Sequence, residues 1–243
     1  GSSKQIQLKF AKYSIENINK LTTNNNVEYH PYELLIKLIC IASCNHLSNE
    51  HNLLDFVINL QKFLLSQNMY KRGNSKMLNY YFECIACILN KSDTKAMITP
   101  YLNSKEFDSI TETIKNSNNN SEIATNLYYL IWIIKALTVR CYRDSEGKKL
   151  KLQTEFLCKC LLSENPKIGQ IASVGFDVIM NDSKLILTKK NHCRISVLYR
   201  QKFFVQTIKY IMNELAVQSK KEPIYLLLAV CYLMKNVPNS VLT

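Results

Sequence analysis

An all-α fold built from stacked antiparallel helix hairpins is what this sequence predicts, and three observations predict it. Glycine and proline are scarce, 5 of each in 243 residues, whereas β-rich folds need both to punctuate their turns. Apolar residues recur with helical period in about ten amphipathic stretches, and no alternating run of useful length appears. The stretches start in two interleaved sets, with successive starts roughly 45 residues apart, the period of two-helix repeats.

One set of starts falls near Lys4, Asn52, Ser104, Lys149 and Arg194, and the other near Pro31, Ser75, Ser121, Pro166 and Pro223. Proline suits the first helical position, where its missing N–H has no intrahelical partner and its fixed φ fits the first turn. Asn165 is placed to cap the helix that Pro166 opens, and Ser75 and Ser121 can cap the two helices that lack the proline. Within the stretches, Leu34, Leu35, Leu38, Ile39 and Ala42 form one stripe. Leu53, Leu54, Val57, Leu60 and Leu64 form a second, and Met77, Tyr81, Ile85, Ala86 and Leu89 a third.

A single hairpin of this size cannot bury its stripe, so neighbours must stack. The expected architecture is a HEAT/armadillo-type α-α superhelical solenoid of about ten helices in about five repeats. Residues 1–3, Gly-Ser-Ser, read as an expression scar, and residues 4–243 as one continuous array. The array carries an insertion at residues 183–201, between the helix ending near Asp182 and the one carrying Phe203 and Phe204. Insertions in a repeat array map to loops on one face, often the binding face.

Composition narrows the function classes. The hydrophobic fraction of 47% excludes a disordered chain. The longest uncharged apolar run, residues 224–234, is too short for a bilayer, which takes about 20 residues. The 9 cysteines are odd in number and follow no secretory signal, which argues for a reducing compartment and buried thiols. Net charge is +12 and uneven. Residues 121–243 carry 18 basic and 9 acidic side chains against 13 and 10 in residues 1–120, so an acidic partner is drawn to the second half.

Several short segments carry a resemblance. Trp132-Ile133-Ile134-Lys135-Ala136-Leu137 followed by Arg140 fits a W-x-x-K-A-L-x-x-R pattern, and Gly175-Phe176 followed by Asp182 fits a G-F-x-x-L-x-x-D pattern. His192, Arg194 and Leu198-Tyr199-Arg200-Gln201-Lys202-Phe203-Phe204 resemble an H-x-x-R-x-x-x-Y-[KR]-Q-[RK]-F-F pattern, with the arginine one position early. Tyr225-Leu226, Val237-Pro238 and Val241-Leu242 fit the helix and turn that follow. In order and spacing these resemble the large HEAT-repeat proteins of the methyl-methanesulfonate-sensitivity and nucleotide-excision-repair family, specifically over about residues 125–243. The resemblance implies a piece of a longer chain that continues beyond Thr243. It also implies a non-enzymatic targeting adaptor of cytosolic iron–sulfur protein assembly, cytoplasmic and nuclear. The partners implied are a small assembly subunit, a WD-repeat propeller subunit and apo iron–sulfur clients such as DNA-repair helicases and polymerases.

The residues themselves nominate one interaction surface. Lys184, Lys189, Lys190, Arg194, Arg200 and Lys202 lie within residues 184–202, which hold no acidic side chain. Tyr199 stands among them, and arginine beside aromatics is a common interface composition. Lys189, Lys190, Arg194, Tyr199, Arg200 and Lys202 are therefore the expected partner contacts. Trp132, Lys135, Gly175, Phe176, Phe203 and Phe204 are the expected structural motif, with at least one of the adjacent phenylalanines facing the core. Direct nucleic-acid binding is not expected, since no docking motif accompanies the charge. The alternative function is a helical-repeat adaptor of another kind, transport-receptor-like or nucleic-acid-associated.

Cys40, Cys44, His46 and His51 have loosely ligand-like spacing, and Cys84-x-x-Cys87 and Cys158-x-Cys160 are present as well. Structural zinc pairs sit on turns, whereas these pairs fall in helical stripes, so neither metal nor cofactor is expected. No P-loop or dinucleotide fingerprint is present. Asp177, in an apolar helix, reads as an inter-helix or capping residue, and no catalytic residue is expected.

Overall fold

The computed structural model describes residues 9, 50–66, 82, 99–138, 144–180, 194–217 and 223–235. They contain eight helices and no strand. These are α1 (Glu50–Ser66), α2 (Thr99–Leu102), α3 (Lys105–Asn116), α4 (Asn120–Thr138), α5 (Asp144–Cys160), α6 (Pro166–Met180), α7 (Arg194–Val217) and α8 (Ile224–Lys235). The architecture is all-α, with helix packed on helix as the repeat reading expects. The starts expected near Lys4, Pro31 and Ser75 lie outside the described residues, as do the stripes over residues 34–42 and 77–89 apart from Phe82, which is fully buried.

The chain divides into two compact units, Gly1–Asn126 and Leu127–Thr243. In the first, α1 buries Val57 and Leu60 of its expected stripe. The same face carries Gln61, only 1% exposed. Its Nε2 donates to the Glu106 carbonyl at 2.9 Å, and its Oε1 accepts from the Tyr101 hydroxyl at 2.8 Å. One amide thus fastens α1 to α2 and α3, satisfying polar groups that would otherwise be costly to bury. An ion pair from Lys62 to Glu106 at 3.0 Å lies alongside. The hydrogen bond from Lys62 and a backbone hydrogen bond hold the Glu106 carboxyl below its usual range. Tyr101 and Phe107 stack tilted, with centroids 5.3 Å apart, and both are fully buried.

Helix starts follow capping chemistry. Ser104 caps α3, its side chain accepting from the Phe107 N–H. Acidic Glu106 and Asp108 in the first turn and Lys115 in the last suit the helix dipole. For α4 the cap is Asn119 rather than Ser121. The Asn119 Oδ1 accepts from the N–H groups of Ser121 and Glu122, so Ser121 already lies inside the helix. At α6 the expectation holds in full: Pro166 is the first helical residue, and the Asn165 Oδ1 accepts from the Lys167 N–H at 3.1 Å. Pro223 stands one residue before α8, and its carbonyl accepts from Leu227 at 2.9 Å.

In the second unit α6 is the hub. It packs most extensively on α8 and also contacts α5, while α7 packs on both α5 and α8. Its buried residues include Gly169, Ile171, Ala172, Ser173, Gly175, Phe176, Ile179 and Met180. Helix α8 buries Leu226, Ala229 and Leu233 and leaves Ile224, Leu227, Leu228 and Met234 exposed.

Candidate functional site

Three of the sequence segments singled out above meet at α6. A Cβ added at Gly175 would stand 2.6 Å from Cδ1 of Ile131 on α4, beside Trp132. A Cβ at Gly169 would clash with Cδ2 of Tyr225 on α8 and stand 2.9 Å from the ring's Cε2 and Cγ. The two glycines therefore let α4 and α8 approach α6 at van der Waals distance. Phe176, next to Gly175, is fully buried. Lys135 is only 3% exposed, and its Nζ lies 5.1 Å from the centroid of the Trp132 ring. This is a cation–π contact removed from water, where such contacts are strongest. Trp132, Lys135, Gly175 and Phe176 are all buried, and Ile131, the neighbour of Trp132 in the chain, packs on Gly175.

Of the adjacent phenylalanines on α7, Phe203 is buried and Phe204 half-buried. The seating of this segment by at least one aromatic is as expected. The first eight positions of α7 fall within the stretch read as an insertion, so residues 194–201 are helical backbone, starting where the repeat places a helix. Arg194, Tyr199, Arg200 and Lys202 lie on that backbone, and their side chains are outside the description. Lys189 and Lys190 lie outside the described residues.

Asp177 on α6 faces Lys235 on α8 at 4.0 Å, an inter-helix ion pair as its position suggested. Cys158 and Cys160 are both buried thiols outside any disulfide. Burial, then the neighbouring Cys160, Glu155 and Glu214, pushes the Cys158 thiol far above its ordinary range. It is a protonated group of the core. Among the described residues no three His, Cys, Asp or Glu side chains converge as a metal site would require, and no helix is long and apolar enough to cross a membrane. Cys40, Cys44, His46, Cys84 and Cys87 lie outside the described residues, and His51 lies on α1 with its side chain outside the description.

A groove of about 250 Å³ runs between α5 and α7. Lys151, Thr154, Glu155 and Cys158 line it from α5, and Gln206, Thr207, Lys209, Tyr210 and Asn213 from α7. Lys151 pairs with Glu155 at 3.8 Å. The Tyr210 hydroxyl is pushed up to about 12, first by burial and then by the negative charge of Glu214. Sequence reading missed this groove, because its polar residues sit at helical spacing without forming a motif. It also missed Gly169. The available signal was one of only 5 glycines standing inside an apolar helix.

Comparison with known proteins gives these segments a common origin. The family model described as RNAPII transcription regulator C-terminal, MMS19_C, matches residues 11–243. The MMS19 nucleotide excision repair protein homolog of Danio rerio is 29% identical over 168 residues, covering 68% of this chain and 15% of that protein. The Homo sapiens homolog of the same name is 26% identical over 131 residues, 54% of this chain and 12% of its own length. The Mus musculus homolog is 24% identical over 131 residues. The chain therefore spans a small part of the curated relatives it matches, and no solved structure matches it. With the family model covering nearly every residue, the chain belongs to the MMS19 C-terminal family.

Proposed function

We propose that the chain is part of a non-enzymatic scaffold that binds proteins, in the cytoplasm and nucleus, as a targeting adaptor of iron–sulfur protein assembly. The observation that carries the reading is the family match over residues 11–243. Its relatives are named for nucleotide excision repair, a process whose helicases suit the role of apo clients. The described residues are consistent with a scaffold: their polar clusters are helix-to-helix fasteners, and the most buried thiol is held protonated. A small assembly subunit and a WD-repeat propeller are the proposed further partners. The excess of basic side chains in residues 121–243 favours acidic partner surfaces.

The test is affinity capture from cytosol with the full-length protein, followed by identification of what is bound. Recovery of assembly subunits together with apo iron–sulfur enzymes supports the reading. Recovery of transport factors alone, or of complexes that nuclease treatment dissolves, replaces it with a helical-repeat adaptor of another kind.

A further inference from the structure

We infer that the groove between α5 and α7 binds an extended acidic peptide segment of a partner, with Thr207 hydrogen-bonding its main chain and Lys209 pairing with one of its carboxylates. This rests on the protein-binding reading above and names where and what that binding is.

The first observation is an orphan hydroxyl. Threonine within a helix ordinarily satisfies its hydroxyl on the carbonyl one turn back. Buried Thr125 does so on Ser121 at 2.8 Å, and Thr154 on Leu150 at 2.8 Å. Thr207 is as deeply buried, 1% exposed, yet its Oγ1 has no hydrogen-bond partner. It lines the groove together with Gln206 and Asn213. Buried polar atoms are nearly always paired, so one that is not, at the wall of a groove, marks where a partner's polar group fits. A hydroxyl and two amides offer both donors and acceptors, the complement of a peptide unit rather than of a charge.

The second observation is the charge balance. Of the charged residues that line the groove, Glu155 is paired with Lys151 at 3.8 Å. Lys209 is exposed and has no ion-pair partner among the described residues. The groove's uncommitted charge is positive, in the half of the chain that carries the basic excess, and this selects an acidic segment. Its volume, about 250 Å³, falls below the roughly 300–1,000 Å³ of small-molecule sites. It is the size for a few residues of a larger partner.

Fluorescence anisotropy on the 243-residue chain tests this. The probes are labelled short peptides that alternate leucine with aspartate, serine or lysine, and a labelled oligothymidylate. The aspartate peptide should bind best and lose affinity as salt rises. Lys209→Glu should weaken it roughly tenfold. Thr207→Val should weaken it while raising the melting temperature of the free protein by about 2–4 °C, because it removes an unpaired buried group. The proposal falls if Thr207→Val lowers the melting temperature, since the hydroxyl then has a structural partner. It also falls if no probe binds, if serine, lysine or oligothymidylate probes bind as well as aspartate, or if Lys209→Glu changes nothing. Capture of assembly subunits by the full-length protein carrying the same substitutions is scored separately. Capture that persists while the peptide result fails removes the groove and leaves the adaptor. Capture that fails in the unsubstituted protein while the peptide result holds removes the adaptor and leaves the groove.

Discussion

Gly169 and Gly175 stand on one helix and face different neighbours, and those neighbours decide what a methyl group does at each. At Gly169 the obstacle is the rigid ring of Tyr225. Gly169→Ala should therefore destabilise by about 1–3 kcal/mol, the usual penalty of overpacking. Adding Tyr225→Leu should recover part of the loss. At Gly175 the obstacle is chiefly the tip of Ile131, which can rotate, and alanine is a better helix former by about 1 kcal/mol. Gly175→Ala should cost less than Gly169→Ala, and denaturant titration of the pair checks the order. Gln61→Leu should cost about 1–3 kcal/mol, because it removes the buried hydrogen bonds from the Tyr101 hydroxyl and to the Glu106 carbonyl. Two raised ionisations add a pH signature. Cys158 and Tyr210 stay protonated in the folded protein when their unfolded counterparts ionise. The unfolded state then binds fewer protons, so stability falls as pH rises above the ordinary thiol pKa of about 8.5. Cys158→Ala with Tyr210→Phe should flatten that alkaline loss in melts taken between neutral and alkaline pH.

Helices whose starts are marked by chemistry with a sequence signature were legible, and those marked otherwise were not. Ser104, Asn165 and Pro166 cap or open their helices as read, because a short oxygen-bearing side chain or a fixed φ is a local property. Helix α5 begins at Asp144, ahead of the expected Lys149. Its first turn holds no apolar residue, so hydrophobic period cannot see it, although Asp144 and Glu146 suit the dipole there. Helix α2 spans 4 residues, too few for any period to register. The Asn119 cap was hidden by the serine two positions on, which competes for the same role in sequence. Asn119→Ala should therefore cost about 1 kcal/mol, and Ser121→Ala much less. The buried residues of α4 and α6 were legible because they are large or conspicuously small. The α5–α7 groove was not, since an unpaired hydroxyl is a fact of three-dimensional neighbours alone.

The distribution of charge acts at the scale of the whole chain. Residues 121–243 carry twice as many basic as acidic side chains, and the run over residues 184–202 has no acidic residue. Reversing Lys189, Lys190 and Arg200 to Glu should leave the melting temperature nearly unchanged, as solvated charges contribute little to stability. It should weaken partner capture and remove the salt dependence of that capture. If the triple variant unfolds, these cations are structural. If it captures partners normally, docking uses another surface.

The indole of Trp132 has an optical consequence. It is the one tryptophan in the sequence, only 7% exposed, and an ammonium group lies over its ring. Excitation selective for indole therefore reports on a single place, a buried position of α4, without labelling. Emission of the folded protein should lie toward the blue and resist quenching by acrylamide, since neither water nor quencher reaches the ring. Loosening of α4 from α6 should shift the colour before far-ultraviolet ellipticity falls, because the helices can persist after their packing is lost. Lys135→Met should leave the indole dry while removing the charge above it, so the colour of emission changes and its protection from quencher does not.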